Sequence, residues 1–307
     1  MAGCRLCPRN CGVDRRAGQP GICGVSGTGI SAARAALHMW EEPCISGESG
    51  SGAVFFSGCP LRCVYCQNYH IARAETGKEI TRERLADIFL ELQNQGAANI
   101  NLVTPTHYTP EIIWAVREAK IRGLAVPIVY NCSGYEKVET LRMLEGIVDI
   151  YLTDFKYMEE DIAARYSHAP DYPQVAKAAL KEMARQIEAR AAGVGNQENW
   201  VGFDDKGMMQ YGIIVRHLLL PNHLENAKKV IRYIHETYGD KVYLSLMNQY
   251  TPLPQVKDIP ELNRCVTEEE YEELVDYALE TGVEEGFVQE GETAKESFIP
   301  SFDCEGI

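Results

Sequence analysis

Residues 53–66 read AVFFSGCPLRCVYC. A short apolar run ends in Ser57-Gly58, and three cysteines follow in C-x3-C-x2-C spacing: Cys59, Cys63 and Cys66. Such a run bounded by glycine predicts a buried strand, with the cysteines on the loop after it. Three thiolates can hold three irons of a cubane cluster and leave the fourth iron open to chelate an amino acid through its amine and carboxylate. A closed structural zinc site needs a fourth ligand, and His70 could supply it, so zinc stays open as an alternative. A dithiol of Cys63 and Cys66 alone would leave Cys59 without a role.

Working outward, short apolar runs alternate with amphipathic segments. Strands are predicted at Ala53–Ser57, Asn99–Thr104, Pro127–Asn131, Val148–Thr153, Tyr211–Leu218 and Val242–Met247, with a further short run at Phe287–Gln289. Helices are predicted at Arg82–Gln95, Pro110–Arg122, Val138–Glu145, Gln174–Ala192, Leu224–Thr237 and Glu268–Thr281. Strands alternating with helices of this length imply βαβ units and a parallel sheet. About six repeats predict an α/β fold, a partial (βα)6-type TIM barrel with a small N-terminal Cys-rich appendage. The boundaries expected are 1–45 for a Cys-rich metal-binding segment, 46–290 for the barrel and 291–307 for a C-terminal tail. Ser46–Gly52 reads as a flexible Gly/Ser linker, and Gly193–Met209 as an irregular insertion that would serve as a lid. Each predicted strand ends in polar or metal-binding groups, as expected of a site lining one barrel mouth.

The chain has 307 residues, and its net charge of -14 makes it a poor default binder of nucleic acid, which requires clustered Lys and Arg. The N-terminus carries Cys and Arg where a secretory signal needs an apolar core, and no apolar run is long enough to span a bilayer. These features predict a cytoplasmic protein with no membrane partner. In a reducing compartment, 11 cysteines are expected to act as ligands, nucleophiles or small buried residues rather than as disulfides. Cys4, Cys7, Cys11 and Cys23 form C-x2-C-x3-C-x11-C. That spacing suits either a structural zinc or an auxiliary Fe–S cluster, and the two stay open.

C-x3-C-x-aromatic-C after the first strand of a repeating βα chain resembles the radical S-adenosylmethionine superfamily. The phrases CRLCPRNCGVDR, FFSGCPLRCVYCQNY, NINLVTPTHY, PIVYNCSGYE, VDIYLTDFKY, IVRHLLLPN and LMNQY look like one branch, the uncharacterised iron–sulfur proteins similar to pyruvate formate-lyase activating enzyme; they run from Cys4 to Tyr250. The resemblance implies a [4Fe–4S] cluster on Cys59, Cys63 and Cys66 that cleaves S-adenosylmethionine to a 5′-deoxyadenosyl radical. It places Tyr65 beside the adenine. It gives Asp154 and Lys156 the role of a D-x-K element, with the Lys pairing the cofactor carboxylate and the Asp near its amine or ribose; the alternative is a surface ion pair of small energetic value. Arg216 and His217 would contact the cofactor from the fifth strand. Asn131 and Ser133 would face it from the third, unless they only shape the turn. The family's Gly-Gly-Glu at strand two is replaced by Thr104-Pro105-Thr106-His107, so either Thr104, Thr106 or a backbone carbonyl holds the amine, or the binding mode differs. Cys132–Tyr135, CSGY, reads as a turn.

The resemblance leaves three functions open. One is activation of a glycyl radical enzyme or another protein substrate, with electrons from a flavodoxin or ferredoxin-type donor. Another is radical chemistry on a small molecule or peptide. The third is a non-catalytic Fe–S or zinc electron-transfer protein.

Overall fold

The computed structural model describes residues 3–196, 199–289 and 300–307. Its strands are β1 (Ile30–His38), β2 (Ser51–Phe56), β3 (Lys78–Ile80), β4 (Ile100–Val103), β5 (Ile128–Cys132), β6 (Ile150–Asp154), β7 (Gly202–Phe203), β8 (Met209–Leu218), β9 (Tyr243–Met247) and β10 (Gly286–Val288). Its helices are α1 (Pro43–Ser46), α2 (Tyr69–Ala72), α3 (Arg82–Asn94), α4 (Thr109–Ile121), α5 (Val138–Met143), α6 (Glu160–Ser167), α7 (Tyr172–Gly193), α8 (Leu224–Tyr238) and α9 (Glu268–Thr281). The strand order is β10-β9-β8-β6-β5-β4-β2-β1-β3. From β2 to β10 all neighbours on this path are parallel, as the βαβ reading requires. The sheet curves as a partial TIM barrel but does not close.

Alternation along the strands separates two faces. Leu102, Tyr130, Tyr151 and Val215 pack outward among helix residues such as Ile112, Leu141, Ile187 and Ile231. Val129, Leu152 and Ile214 face inward onto Cys44, Ile45, Val201 and Met209. Two of the helices, α3 and α9, begin at side-chain caps. Thr81 Oγ1 accepts the Arg84 N–H at the start of α3, and Thr267 and Glu270 form a reciprocal capping box on α9. Gly282 ends α9 in the left-handed conformation, φ 97°.

Four expectations are corrected here. The Cys-rich segment does not stand apart from the barrel at residue 45. β1 pairs antiparallel with β2 inside the same sheet, and Glu41 to Ser46 then enter the barrel interior. Second, Ser46–Gly52 is no linker: it ends α1, turns, and begins β2. Third, the 193–209 insertion is not a lid. Val201 and Met209 pack at the start of β8, the end of the barrel opposite the cysteine loop, and β7 pairs with β8 there. Fourth, residues 300–307 are not loose: Ala35 N donates to Glu305 O at 2.8 Å and Cys304 N to Ala33 O at 3.0 Å. The remainder of the expected tail, 291–299, lies outside the described residues.

One turn carries a measurable constraint. Gly134, after β5, has φ 75°, and a Cβ there would sit 2.2 Å from the Asp154 carbonyl oxygen and 2.9 Å from Tyr172 Oη. Gly134→Ala should therefore lower unfolding stability by about 2 kcal/mol or more, from left-handed strain plus displacement of the β6 terminus. Urea unfolding with an unchanged m-value would show it; an unchanged midpoint would contradict this packing.

Candidate active site

The inward parity places Phe55, Val103, Asn131, Asp154 and Arg216 on the concave face, toward the ends of five neighbouring parallel strands. The cysteine loop rises from the end of β2 beside them. Its backbone is pinned from three sides. Gly58, φ 93°, closes against Cys23 O and Val25. Cys59 N donates to Cys23 O at 3.2 Å, and Val64 N donates to Tyr166 O at 2.9 Å. Arg9 ties the N-terminal segment to this loop: Nε donates to Pro60 O at 2.9 Å, Nη2 to Ser167 O at 3.0 Å, and Nη1 to His168 O.

Cys59, Cys63 and Cys66 are free thiols, half-buried at the mouth. Burial, reinforced by the neighbouring Cys63 sulfur, pushes Cys59 up to about 11 and Cys66 up to about 12. Thiols crowded this way ionise only when a cation compensates them. Among the described residues, no three His, Cys, Asp or Glu side chains gather closely enough to hold a single metal ion. The donor set suits a multi-iron cluster better, because each thiolate then binds a different iron and the sulfurs need not converge on one point. By this chemistry the residues fit a [4Fe–4S] group.

Lys156 stands at the same mouth. Burial opposes its charge, but the Asp154 carboxylate and the Cys63 sulfur outweigh it and hold the ammonium above its ordinary value. Lys156 Nζ lies 2.5 Å from Asp154 Oδ2, with both side chains mostly shielded from solvent. The pair is thus not a loose surface ion pair, and it brings a cation to the cysteines.

The other expected residues divide. Tyr65 is buried, hydrogen-bonded to Tyr157 and edge-on to Tyr250 at 6.2 Å. Thr104 sits half-exposed at the end of β4 with φ 58°, a left-handed conformation that a β-branched residue rarely adopts and that concentrates at functional sites. Thr106 faces away from the mouth; its hydroxyl donates to buried Glu136 at 2.8 Å. Asn131 points into the barrel, its Nδ2 3.5 Å from Glu41 Oε1. Ser133 Oγ accepts the Tyr135 N–H at 3.4 Å within the turn. Arg216 and His217, expected as one polar pair, are on opposite faces of β8. Arg216 lies inside with Glu41 and Glu42, while His217 shares the outer face with Val215 and bonds Phe155 O through Nδ1 at 2.7 Å. Burial drops His217 to about 4, so it is neutral.

Glu41 and Glu42 were missed. They come from the segment before α1 and fill the barrel floor. Arg216 Nε is 2.8 Å from Glu42 Oε1, and its Nη2 reaches both carboxylates. Asn101 Nδ2 donates to Glu41 Oε1 at 2.8 Å, and Asn101 Oδ1 is buried without a partner. Two consecutive acidic residues carry no sequence signal for a barrel interior.

Cys4, Cys7 and Cys23 are buried and Cys11 half-buried. Burial first, then the other cysteines, push Cys7 up to about 12, and Cys23 is raised in the same way. Thr140 Oγ1 donates to Leu6 O at 2.7 Å and Lys137 Nζ to Asn10 Oδ1 at 2.8 Å, so this segment is seated on the start of α5. Beneath it, burial raises Glu136 to about 8, partly offset by hydrogen bonds from Thr106 and Tyr130. The protonated carboxyl is favoured in the fold, so its stability contribution is full below about pH 4.5 and is lost as pH rises toward 8. Between pH 5 and 8 the wild type should lose about 3.5 kcal/mol relative to Glu136→Gln in urea unfolding. Parallel pH profiles would contradict this burial.

An α/β half-barrel with a cysteine triad on the loop after its first parallel strand defines a recognisable class. Residues 53–200 match the family model of the radical SAM superfamily, a span that begins within β2 and extends past α7. An uncharacterized protein of Methanocaldococcus jannaschii is 28% identical over 283 residues, covering 90% of this chain and 74% of that protein. A radical SAM methyltransferase from Sphaerobacter thermophilus is similar in structure, with a TM-score of 0.51 and 12% identity over 86% of this chain and 78% of that one; this likeness shows the fold. Streptococcus suis SuiB, in a crystal structure with S-adenosylmethionine, aligns with a TM-score of 0.48 and 13% identity over 80% of this chain. The chain spans 51% of that protein's length. Among the described residues, no helix is long and apolar enough to cross a membrane.

Proposed function

We propose that this chain is a radical enzyme that reductively cleaves S-adenosylmethionine at a [4Fe–4S] cluster held by Cys59, Cys63 and Cys66. Bound there, the cluster and S-adenosylmethionine supply a 5′-deoxyadenosyl radical for hydrogen abstraction. The observation that carries this reading is the meeting of three free thiols with the Lys156 ammonium in one barrel mouth. Lys156, kept charged by Asp154, offers a partner for the methionine carboxylate. Thr104 is placed at the end of β4 to present its hydroxyl or carbonyl to the amine. A flavodoxin or ferredoxin-type protein would deliver the electron.

Activation of a glycyl radical enzyme is one form of this function, by resemblance to the activases. A small molecule or peptide substrate is the second reading, and the barrel floor favours it: Glu41, Glu42, Asn101 and Arg216 make a charged interior suited to a polar substrate rather than to a glycine-bearing loop. The N-terminal cysteines would hold zinc or a second cluster. In an anaerobic assay, the protein reconstituted with iron and sulfide, then given dithionite and S-adenosylmethionine, should form 5′-deoxyadenosine. An intact cluster that gives no product would leave electron transfer as the function.

A further inference from the structure

We propose that a row of three linked hydroxyls, Tyr65, Tyr157 and Ser167, ends in a hydrogen bond from Ser167 to the Cys63 sulfur and raises the reduction potential of the cluster bound there. The proposal rests on the reading that Cys63 is a cluster ligand. Ser167 Oγ lies 2.8 Å from Cys63 Sγ, Tyr157 Oη 2.8 Å from Ser167 Oγ, and Tyr65 Oη 2.6 Å from Tyr157 Oη. A hydroxyl has one proton to give, and a thiolate can only accept. With Cys63 ionised, Ser167 must therefore donate to sulfur, Tyr157 to Ser167, and Tyr65 to Tyr157. Every proton in the row is used, and all point toward the cluster.

The row is held in place by the surrounding fold. Ser167 and Tyr157 are fully buried and Tyr65 nearly so. Ser167 ends α6, where its carbonyl is held by Arg9, and the Val64–Tyr166 backbone bond locks α6 to the cysteine loop. Tyr157 is wedged against Tyr172 at 5.2 Å. Hydrogen bonds to a charged acceptor in a dry site are strong, and a directed chain polarises each member. An added electron makes the cluster sulfurs more negative, so the donors bind the reduced form more tightly than the oxidised one. Hydrogen bonds to the sulfurs are among the terms that set cluster potentials. Ser167 and Tyr157 are positioning residues: they act through Cys63.

The test is an EPR-monitored redox titration of the full-length, anaerobically reconstituted protein without S-adenosylmethionine. Ser167→Ala should lower the reduced-to-oxidised ratio at fixed poise about tenfold, equal to about 59 mV for one electron. Tyr157→Phe, which keeps the ring, should lower it less, and the double variant should match Ser167→Ala alone. An unchanged potential in Ser167→Ala with an intact cluster spectrum, or additive effects, overturns the proposal. If Ser167→Ala fails to fold, Tyr157→Phe and Tyr65→Phe decide alone: a lowered potential supports the chain and an unchanged one overturns it. Variants that show the shift, with a wild type that forms no 5′-deoxyadenosine, would sink the catalytic reading only; a wild type that binds no cluster would sink both.

Discussion

Replacing Cys59, Cys63 or Cys66 singly by serine is expected to lower 5′-deoxyadenosine formation by about three orders of magnitude or more, because on the proposed assignment each removes the sole protein ligand of one iron. The loop itself should survive. Its conformation is set by backbone bonds from Cys59 N to Cys23 O and Val64 N to Tyr166 O, and by Arg9 on Pro60 O, none of which uses a thiol. Serine is nearly isosteric, so unfolding midpoints should stay close to the wild type while iron content falls. Substituting Cys7 instead should leave iron on the triad. The triple variant of Cys59, Cys63 and Cys66 then assigns the N-terminal site: iron retained in it belongs to Cys4, Cys7, Cys11 and Cys23, and zinc alone there identifies a structural staple. Full activity in any of the three single variants would refute the ligand assignment.

Arg216→Met is expected to destabilise the protein by about 3–5 kcal/mol, the range seen when one partner of a buried ion pair is removed. The reason is geometric. Arg216 is the cation facing both Glu41 and Glu42, with side-chain exposures of 12%, 7% and 6%, so its loss strands two carboxylates in the barrel floor. In the wild type, burial works to raise Glu42, but Arg216 outweighs it and holds the carboxyl below its ordinary value. A lowered folded value contributes stability above the unfolded pKa that is lost as pH falls through the folded one. In Arg216→Met the sign reverses. Without Arg216, burial alone acts on Glu42 and favours its protonated form in the fold, so the variant should regain stability as pH falls toward 5. Adding Glu41→Gln and Glu42→Gln should recover part of the loss. A variant as stable as the wild type at pH 8 would show that the triad is not closed as described.

The parallel half of the fold was legible because its signal is local. Runs such as Asn99–Thr104 and Val148–Thr153 are short, carry β-favouring Ile, Leu, Val and Tyr, and fall between helical segments, so they read as strands; the helix expected at Glu268–Thr281 is α9, which a capping box and a terminal glycine bound. β1 was missed because ISAARAALH is alanine-rich with Arg34 inside it, neither alternating nor uniformly apolar; its strand state comes from pairing with β2 and residues 304–305. The 193–209 insertion was misplaced because nothing in its composition tells which end of a barrel a loop covers. The cysteine loop was evident from spacing. Ser167, Tyr157, Glu41 and Glu42 were not, because they meet Cys63, Tyr65 and Arg216 across about 90 to 175 residues of chain, and single polar residues carry no periodicity. The separation of Arg216 from His217 was derivable from strand alternation alone, and the adjacency of the two letters obscured it.

On the proposed assignment, one iron at the Cys59–Cys63–Cys66 loop has no protein ligand and accepts S-adenosylmethionine. The EPR spectrum of the dithionite-reduced protein, with the N-terminal cysteines replaced, tests it directly. Addition of S-adenosylmethionine should change the signal of the remaining cluster in a saturable way, and Lys156→Met should weaken that titration about tenfold or more. A cluster signal indifferent to saturating S-adenosylmethionine, or a triad holding a single zinc, would contradict the account.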